Sequence, residues 1–499
     1  LTTEEKFMAL LKKMSAYSEA LNIMYWDMRT GAPKKGISTR SEAVGTLSSE
    51  LFKMSVSEEM EGYLKKLGDR MESLDPVMAK TVAVVQEEFD QSKKIPADEY
   101  REYVVLSSKS ESVWEEAKDK VDFEMFLPYL ENMISSTKNL INYWGVKDGN
   151  PYNTLLDKYE PGLTTDIIDE VFGQLKETIV PLVKKISEKN NQPDTSFLFA
   201  QFPKENQKVF SHEILKQLGF DFEAGRLDET VHPFALGITI RDVRITTRYA
   251  ENDFRSAIFG TIHECGHALY EQNIDLELEG LPVADGTSMG IHESQSLFYE
   301  KFIGHNENFW KYNFDLMKKH SPEQFENVPL DDFLRAINFS KPSLIRLDAD
   351  ELTYALHIMI RYEIEKGLFN GDIEVKDLPQ VWGDKYEEYL GIRPENDGEG
   401  VLQDVHWSAG LFGYFPSYAL GFMYAAQFKA AMLKDIPNFD ELCLRGEFHS
   451  ILDWLTEHVH RFGKLKKPLE ILQDATGEGL NAKYLADYLF DKYTKLYNL

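Results

Sequence analysis

Apolar residues recur at three- and four-residue spacing through the first 230 residues, as in EEKFMALLKKMSAYSEALNIM and LPYLENMISSTKNLINYW, and this period predicts amphipathic helices. Clusters of Gly, Pro, Asn and Asp at RTGAPKKG (29–36), EKNNQPDTS (188–196) and RPENDGEG (393–400) mark joints between them, none long enough to be an interdomain linker. The period changes at GITIRDVRITTRY (237–249), where β-branched residues alternate with polar ones as in a strand or hairpin. Helical spacing resumes at DFRSAIFGTIHECGHALYEQ. It continues through PSLIRLDADELTYALHIMIRYEIEKGL (342–368), where Pro342 occupies the place of a first-turn proline. The pattern predicts a mainly α protein with one small β-sheet directly upstream of two histidines.

One uncharged run, SAGLFGYFPSYALGFMYAAQF (408–428), has about the length that spans a bilayer. Gly410, Gly413, Pro416, Ser417 and Gln427 interrupt it and no basic flank follows it, so buried core beside a pocket is the better reading. The net charge of −28 argues against binding nucleic acid or an anionic membrane through a basic surface. Only two cysteines occur, Cys265 and Cys443, so no disulfide framework is implied and a reducing compartment is expected. The opening LTTEEKFMALLKKM has neither a basic n-region nor an apolar h-region, which makes a cytoplasmic protein the expectation.

The stretch TIHECGHALYEQ (261–272) places two histidines four apart. On an α-helix such residues differ by about 40° and lie about 6 Å apart along the axis, so His263 and His267 point to one side and can share a cation. Neutral imidazole suits zinc, and a catalytic zinc takes three protein ligands and a water. Glu264 is turned about 100° from His263, away from ligation, where it can take a proton from the water that the cation activates. Glu293, 26 residues after His267 in MGIHESQSLFYEKF, is the candidate third ligand, with His292 as its competitor. Cys265 faces nearly away from His263 and reads as a small packing residue.

Several spaced motifs agree with one family. HPF (232–234), DVRIT (242–246), HECGH (263–267), HESQ (292–295), IRLDAD (345–350), GVLQDVHW (400–407) and GYFPSYALG (413–421) follow one another in order, with a weaker echo in MYWDMRTGAP. The chain resembles the carboxypeptidase Taq (thermostable carboxypeptidase 1) family of metallocarboxypeptidases. The resemblance implies a largely helical fold with a deep cleft and a His–His–Glu site for one divalent metal ion, zinc or in some members cobalt. It also implies removal of single residues from peptide C-termini, broad specificity with poor handling of proline, and a homodimer. On this reading residues 1–499 form one catalytic unit. Residues 1–230 build a helical cleft wall, 231–430 hold the strands and the metal and catalytic core, and 431–499 are C-terminal helices.

An exopeptidase must also bind a free carboxylate, which the planar fork of an arginine does well. The resemblance selects Arg346 in IRLDAD for this role. His406 and Tyr418 lie in or beside the uncharged run and are candidates to stabilise the oxyanion, with Tyr414 as an alternative to Tyr418. Asp242, Arg244 and Thr246 share one face of the expected strand. Asp242 and Arg244 could bind substrate backbone along that strand, Asp242 could orient a ligand histidine, or the two could form a structural ion pair. An endo-acting zinc oligopeptidase shares the metal logic without needing the arginine and is the alternative activity.

Overall fold

The computed structural model describes residues 1–189 and 192–499, so residues 190 and 191 of the loop cluster expected at 188–196 lie outside the described residues. The first helix, α1 (Thr3–Thr30), starts at a capping box in which Thr2 and Glu5 satisfy each other's backbone N–H. Phe7, Leu10 and Leu11 on α1 pack against Met60, Leu64 and Phe89, which gives the N-terminal helices a small core of their own. A much larger core runs from Ala117 to Tyr497 and includes a short helix important below, α2 (Pro151–Tyr159).

The strand or hairpin expected at 237–249 is a hairpin of β2 (Ala235–Thr239) and β3 (Asp242–Thr247), paired antiparallel. A further strand, β1 (Gly225–Glu229), pairs parallel with β3, so β3 is the middle strand of three. The sequence GRLDE of β1 has one large apolar residue and no alternation. Its strand geometry comes from pairing with β3, within a stretch whose pattern read as helical.

Behind β3 lies α3 (Arg255–Gln272), which carries the paired histidines. The hydroxyl of Thr247 donates to the Ala257 carbonyl at 3.3 Å, and that of Thr261 donates to the Thr247 oxygen at 3.0 Å, pinning α3 to the end of the strand. The next helix, α4 (Met289–Leu297), is capped by Ser288 and passes directly into a π-helical turn at Phe298–Gly304. The two helices cross at Gly266, where a Cβ would come within 2.3 Å of the Gln295 carbonyl oxygen. Only glycine permits this approach, and it brings Glu293 to the histidines.

The stretch 342–368 departs from its expectation. Helix α5 begins only at Tyr354 and ends at Asn370, and the twelve residues before it are irregular apart from a 3₁₀ turn at Arg346–Asp348. Asp350 is the cause: its carboxylate accepts the backbone N–H groups of Lys341, Leu352 and Thr353 and the hydroxyl of Ser340. The Arg346 N–H goes to the Gln403 side chain at 2.9 Å. Side chains that satisfy the backbone in this way compete with helix formation. The uncharged run is irregular over 408–415 and then forms α6 (Pro416–Asp435), almost wholly buried on its first four turns. Among the described residues no helix is long and apolar enough to cross a membrane.

Candidate active site

Nε2 of His263 and Nε2 of His267 lie 3.8 and 3.4 Å from Oε2 of Glu293, and a donor atom from each of the three residues falls within 4.8 Å of the others. The Nδ1 atoms point the other way. That of His263 meets Oε2 of Glu300 at 2.8 Å, in the π-helical turn. That of His267 meets Nδ1 of His292 at 2.6 Å, and Nε2 of His292 meets Oε1 of Glu271 at 2.8 Å. In the neutral state that cation binding requires, protons on Nδ1 of His263, Nδ1 of His267 and Nε2 of His292 satisfy all these bonds. Both inward Nε2 atoms then present lone pairs. His292, the competitor for third ligand, is thus occupied behind His267.

Glu264 is mostly buried, yet no group among the described residues hydrogen-bonds to its carboxylate. Burial raises its pKa to about 7, with the neighbouring Glu293 and Glu300 pushing the same way against His263.

A second cluster faces this one. Arg346 is buried on its 3₁₀ turn, pairs with Asp404 at 2.9 Å and donates to the Tyr354 hydroxyl at 3.2 Å. The other Asp404 oxygen takes Arg361 at 2.6 Å, so two guanidinium groups share one carboxylate and the trio keeps one positive charge. Despite its burial, Asp404 is held well below the usual carboxylate range by Arg361 and Arg346. Arg346 also lies over the Tyr418 ring, 5.3 Å from its centre. The Tyr418 hydroxyl is 3.4 Å from Nε2 of His406, whose ring stacks on Phe415 and whose Nδ1 is buried without a partner among the described residues. Burial depresses His406 to about 4, so its neutral form prevails at pH 7. Tyr414 stands at the edge of the same group, its ring against Tyr159 and Tyr418. Tyr418 stands on α6, which packs against Glu293 at Gly421, where a Cβ would lie 2.7 Å from the Glu293 Cβ, and this contact places the two clusters side by side.

Asp242 and Arg244 are bound to each other by two hydrogen bonds of 2.7 and 2.6 Å, and the arginine also stacks over Trp26 of α1. This is the ion-pair alternative. With β3 flanked on both sides, it has no free edge for a substrate strand, and the carboxylates that bond His263 and His292 are Glu300 and Glu271 in place of Asp242.

The carboxypeptidase Taq (M32) metallopeptidase family model matches residues 6–493. The chain belongs to this family. It is 57% identical over 498 residues to carboxypeptidase 1 of Bacillus subtilis, covering 100% of this chain and 99% of that one. It is 39% identical to thermostable carboxypeptidase 1 of Thermus thermophilus, covering 100% of both. The crystal structure of the M32 carboxypeptidase from Deinococcus radiodurans R1 superposes with a TM-score of 0.96 at 34% identity, over 100% of each chain. The protein is a metallocarboxypeptidase, a peptide hydrolase.

Membership of an M32 metallopeptidase family implies a divalent metal ion, and the His263, His267 and Glu293 cluster fits one. Tetrahedral bonds of about 2.1 Å separate neighbouring donors by about 3.4 Å, close to the spacings found. The electrostatics agree: burial disfavours a charged His263, yet Glu293 and Glu300 outweigh it and hold its imidazolium up to about 9. Burial pushes His267 down to about 4. The cluster therefore calls for one positive charge. Loading a divalent cation onto metal-stripped protein at pH 7 is expected to expel at least about one proton, most of it from His263 and the remainder from Glu264. Apparent affinity should weaken about tenfold per unit as pH falls from 9 toward 4. Calorimetry in buffers of different ionisation enthalpy counts the protons, and a count of zero would show that His263 is already neutral in the metal-free protein.

Sequence reasoning missed several residues of this site. Glu271 follows His267 by four positions and had a helical-face signal that could have been read. Glu300 had none, because the π turn sets its direction. Asp404 and Gln403 sit inside GVLQDVHW, and Tyr354 lies in the predicted helix. Their roles depend on where Arg346 comes to rest.

Proposed function

We propose that this M32 enzyme releases single amino acids from peptide C-termini with broad specificity, handling C-terminal proline poorly, on one divalent cation held by His263, His267 and Glu293. Zinc is the favoured ion and cobalt the alternative. One observation supports the reading above all: three donor atoms within 4.8 Å of each other, beside a carboxylate, Glu264, that has no bonded partner among the described residues. Bound there, the cation would polarise the scissile carbonyl and acidify a water.

Every other part belongs to the chain. Glu264 takes the proton of the attacking water and returns it to the leaving amine. Arg346, held rigid by Asp404 and Tyr354, binds the substrate's terminal carboxylate with the one positive charge its cluster retains. Neutral His406, its Nδ1 buried, donates through Nε2–H to the Tyr418 oxygen. The Tyr418 O–H is then free to donate to the oxygen on which negative charge develops. A cytoplasmic setting fits the two unpaired, buried thiols of Cys265 and Cys443, and a homodimer fits the family resemblance.

The test offers one peptide as its free acid and as its C-terminal amide, followed by mass spectrometry with and without chelator. Stepwise loss of terminal residues is expected from the acid alone, and chelator should stop it. Internal cuts in both peptides would replace this reading with an endo-acting oligopeptidase.

A further inference from the structure

Directly after α2, in PYNTLLDKYEPG, comes Glu160, which is 1% exposed and has no cationic partner in hydrogen-bond range among the described residues. Its carboxyl group accepts three hydrogen bonds: from the Ser288 hydroxyl at 2.9 Å, the Gly290 N–H at 2.8 Å and the Tyr424 hydroxyl at 3.0 Å. Ser288 and Gly290 form the start of α4, the helix that carries Glu293. Tyr424 lies on α6, six residues after Tyr418. These two helices press together at Gly421, where a Cβ would lie 2.7 Å from the Glu293 Cβ.

A carboxyl group without a counter-ion is costly to bury, and an apolar side chain would fill the same space without that cost. Burial does raise the Glu160 pKa, to about 7. What an apolar residue cannot do is accept from two helices at once. We propose that Glu160 is a positioning residue for the hydrolytic reaction: it locks α4 against α6 and so sets Glu293 relative to Tyr418. The proposal rests on the roles given above to Glu293 and Tyr418. Metal ligands and the groups that act with them must be held within about 0.5 Å of their working positions, and losing an outer hydrogen-bond partner weakens metal holding by about 10- to 100-fold.

The experiment compares the parent enzyme with Glu160→Ala, Glu160→Asp and Glu160→Gln, each loaded with Co2+. It reads the visible spectrum of the bound ion, its release rate to a chelator, and kcat and KM on a free-acid peptide. Glu160→Ala should release Co2+ about tenfold faster or more, shift the visible band and lower kcat with KM little changed. Glu160→Gln still accepts from Gly290 and can donate to the two hydroxyls, and it should restore these properties. Glu160→Asp cannot span all three donors and should move the spectrum in the same direction as Ala. It decides the matter should the Ala variant not fold.

Leu175→Ala in the main core serves as a control for lost packing. Parent-like spectrum and release rate in the folded Ala or Asp variant would overturn the proposal, as would equal changes in the Leu175 control. Glu293→Ala is run alongside. If that variant keeps the parent spectrum and release rate, the ligand assignment fails, and this result is separate from any outcome at Glu160.

Discussion

Glu264→Gln is expected to lower kcat by about 10²- to 10⁴-fold while each chain still holds its metal ion. Glutamine has nearly the same shape as glutamate and cannot take a proton, so the substitution removes the proposed base and little else. The metal should stay because Glu264 supplies none of the three converging donor atoms, which come from His263, His267 and Glu293. Packing should survive as well: no protein group among the described residues bonds to the Glu264 carboxylate, so no donor is orphaned. Turnover on a free-acid peptide and metal per chain by atomic absorption check both halves. Retention of more than about a tenth of the parent kcat would show that another group takes the proton.

The second large effect is at Arg346. Truncating one partner of a desolvated, hydrogen-bonded charge pair costs about 2–5 kcal/mol, so Arg346→Ala should depress kcat/KM on free-acid peptides by some 30- to several-thousand-fold. Metal content should not change, since Arg346 contacts Asp404, Tyr354 and the Tyr418 ring and none of the three metal donors. Asp404 keeps its bond to Arg361, which limits the damage to the fold. Arg346→Lys should recover only part of the loss, because an ammonium carries the charge without the planar fork. Kinetics unchanged in the Ala variant would remove Arg346 from the carboxylate site. The clamp would then have to be sought among other cations.

The metal-side cluster was legible to different depths. His263 and His267 need only a helix to face one way, and the 3.6-residue period supplies it locally. Glu293 was reachable by asking for a third ligand. What turns Glu293 inward and leaves His292 behind His267 is the crossing of α3 and α4 at Gly266, a contact between segments about 30 residues apart. Glu300 owes its direction to a π-helical turn, which no hydrophobic period announces.

Around Arg346 the pattern was misleading. Apolar spacing through 342–353 satisfied the template for a helix, but Asp350 and Gln403 capture the backbone N–H groups that a helix would have used. That interruption points Arg346 at Tyr354 and Asp404, the latter 58 residues away. Strand β1 is a similar case, with no alternation of its own and a register taken from β3.

By itself the sequence determined what depends on short range: helical periods, the β2–β3 hairpin, the i, i+4 histidines with a glutamate between them, and the ordered motifs of the M32 family. The tertiary structure decided what depends on a partner far along the chain: the third strand, the unwound segment that presents Arg346, the carboxylates behind the histidines and the grip of Glu160 on two helices. The physical reason is the reach of each interaction. A residue's period along a helix is set by neighbours within one or two turns, whereas a hydrogen bond to a buried side chain exists only once distant segments have packed and excluded water.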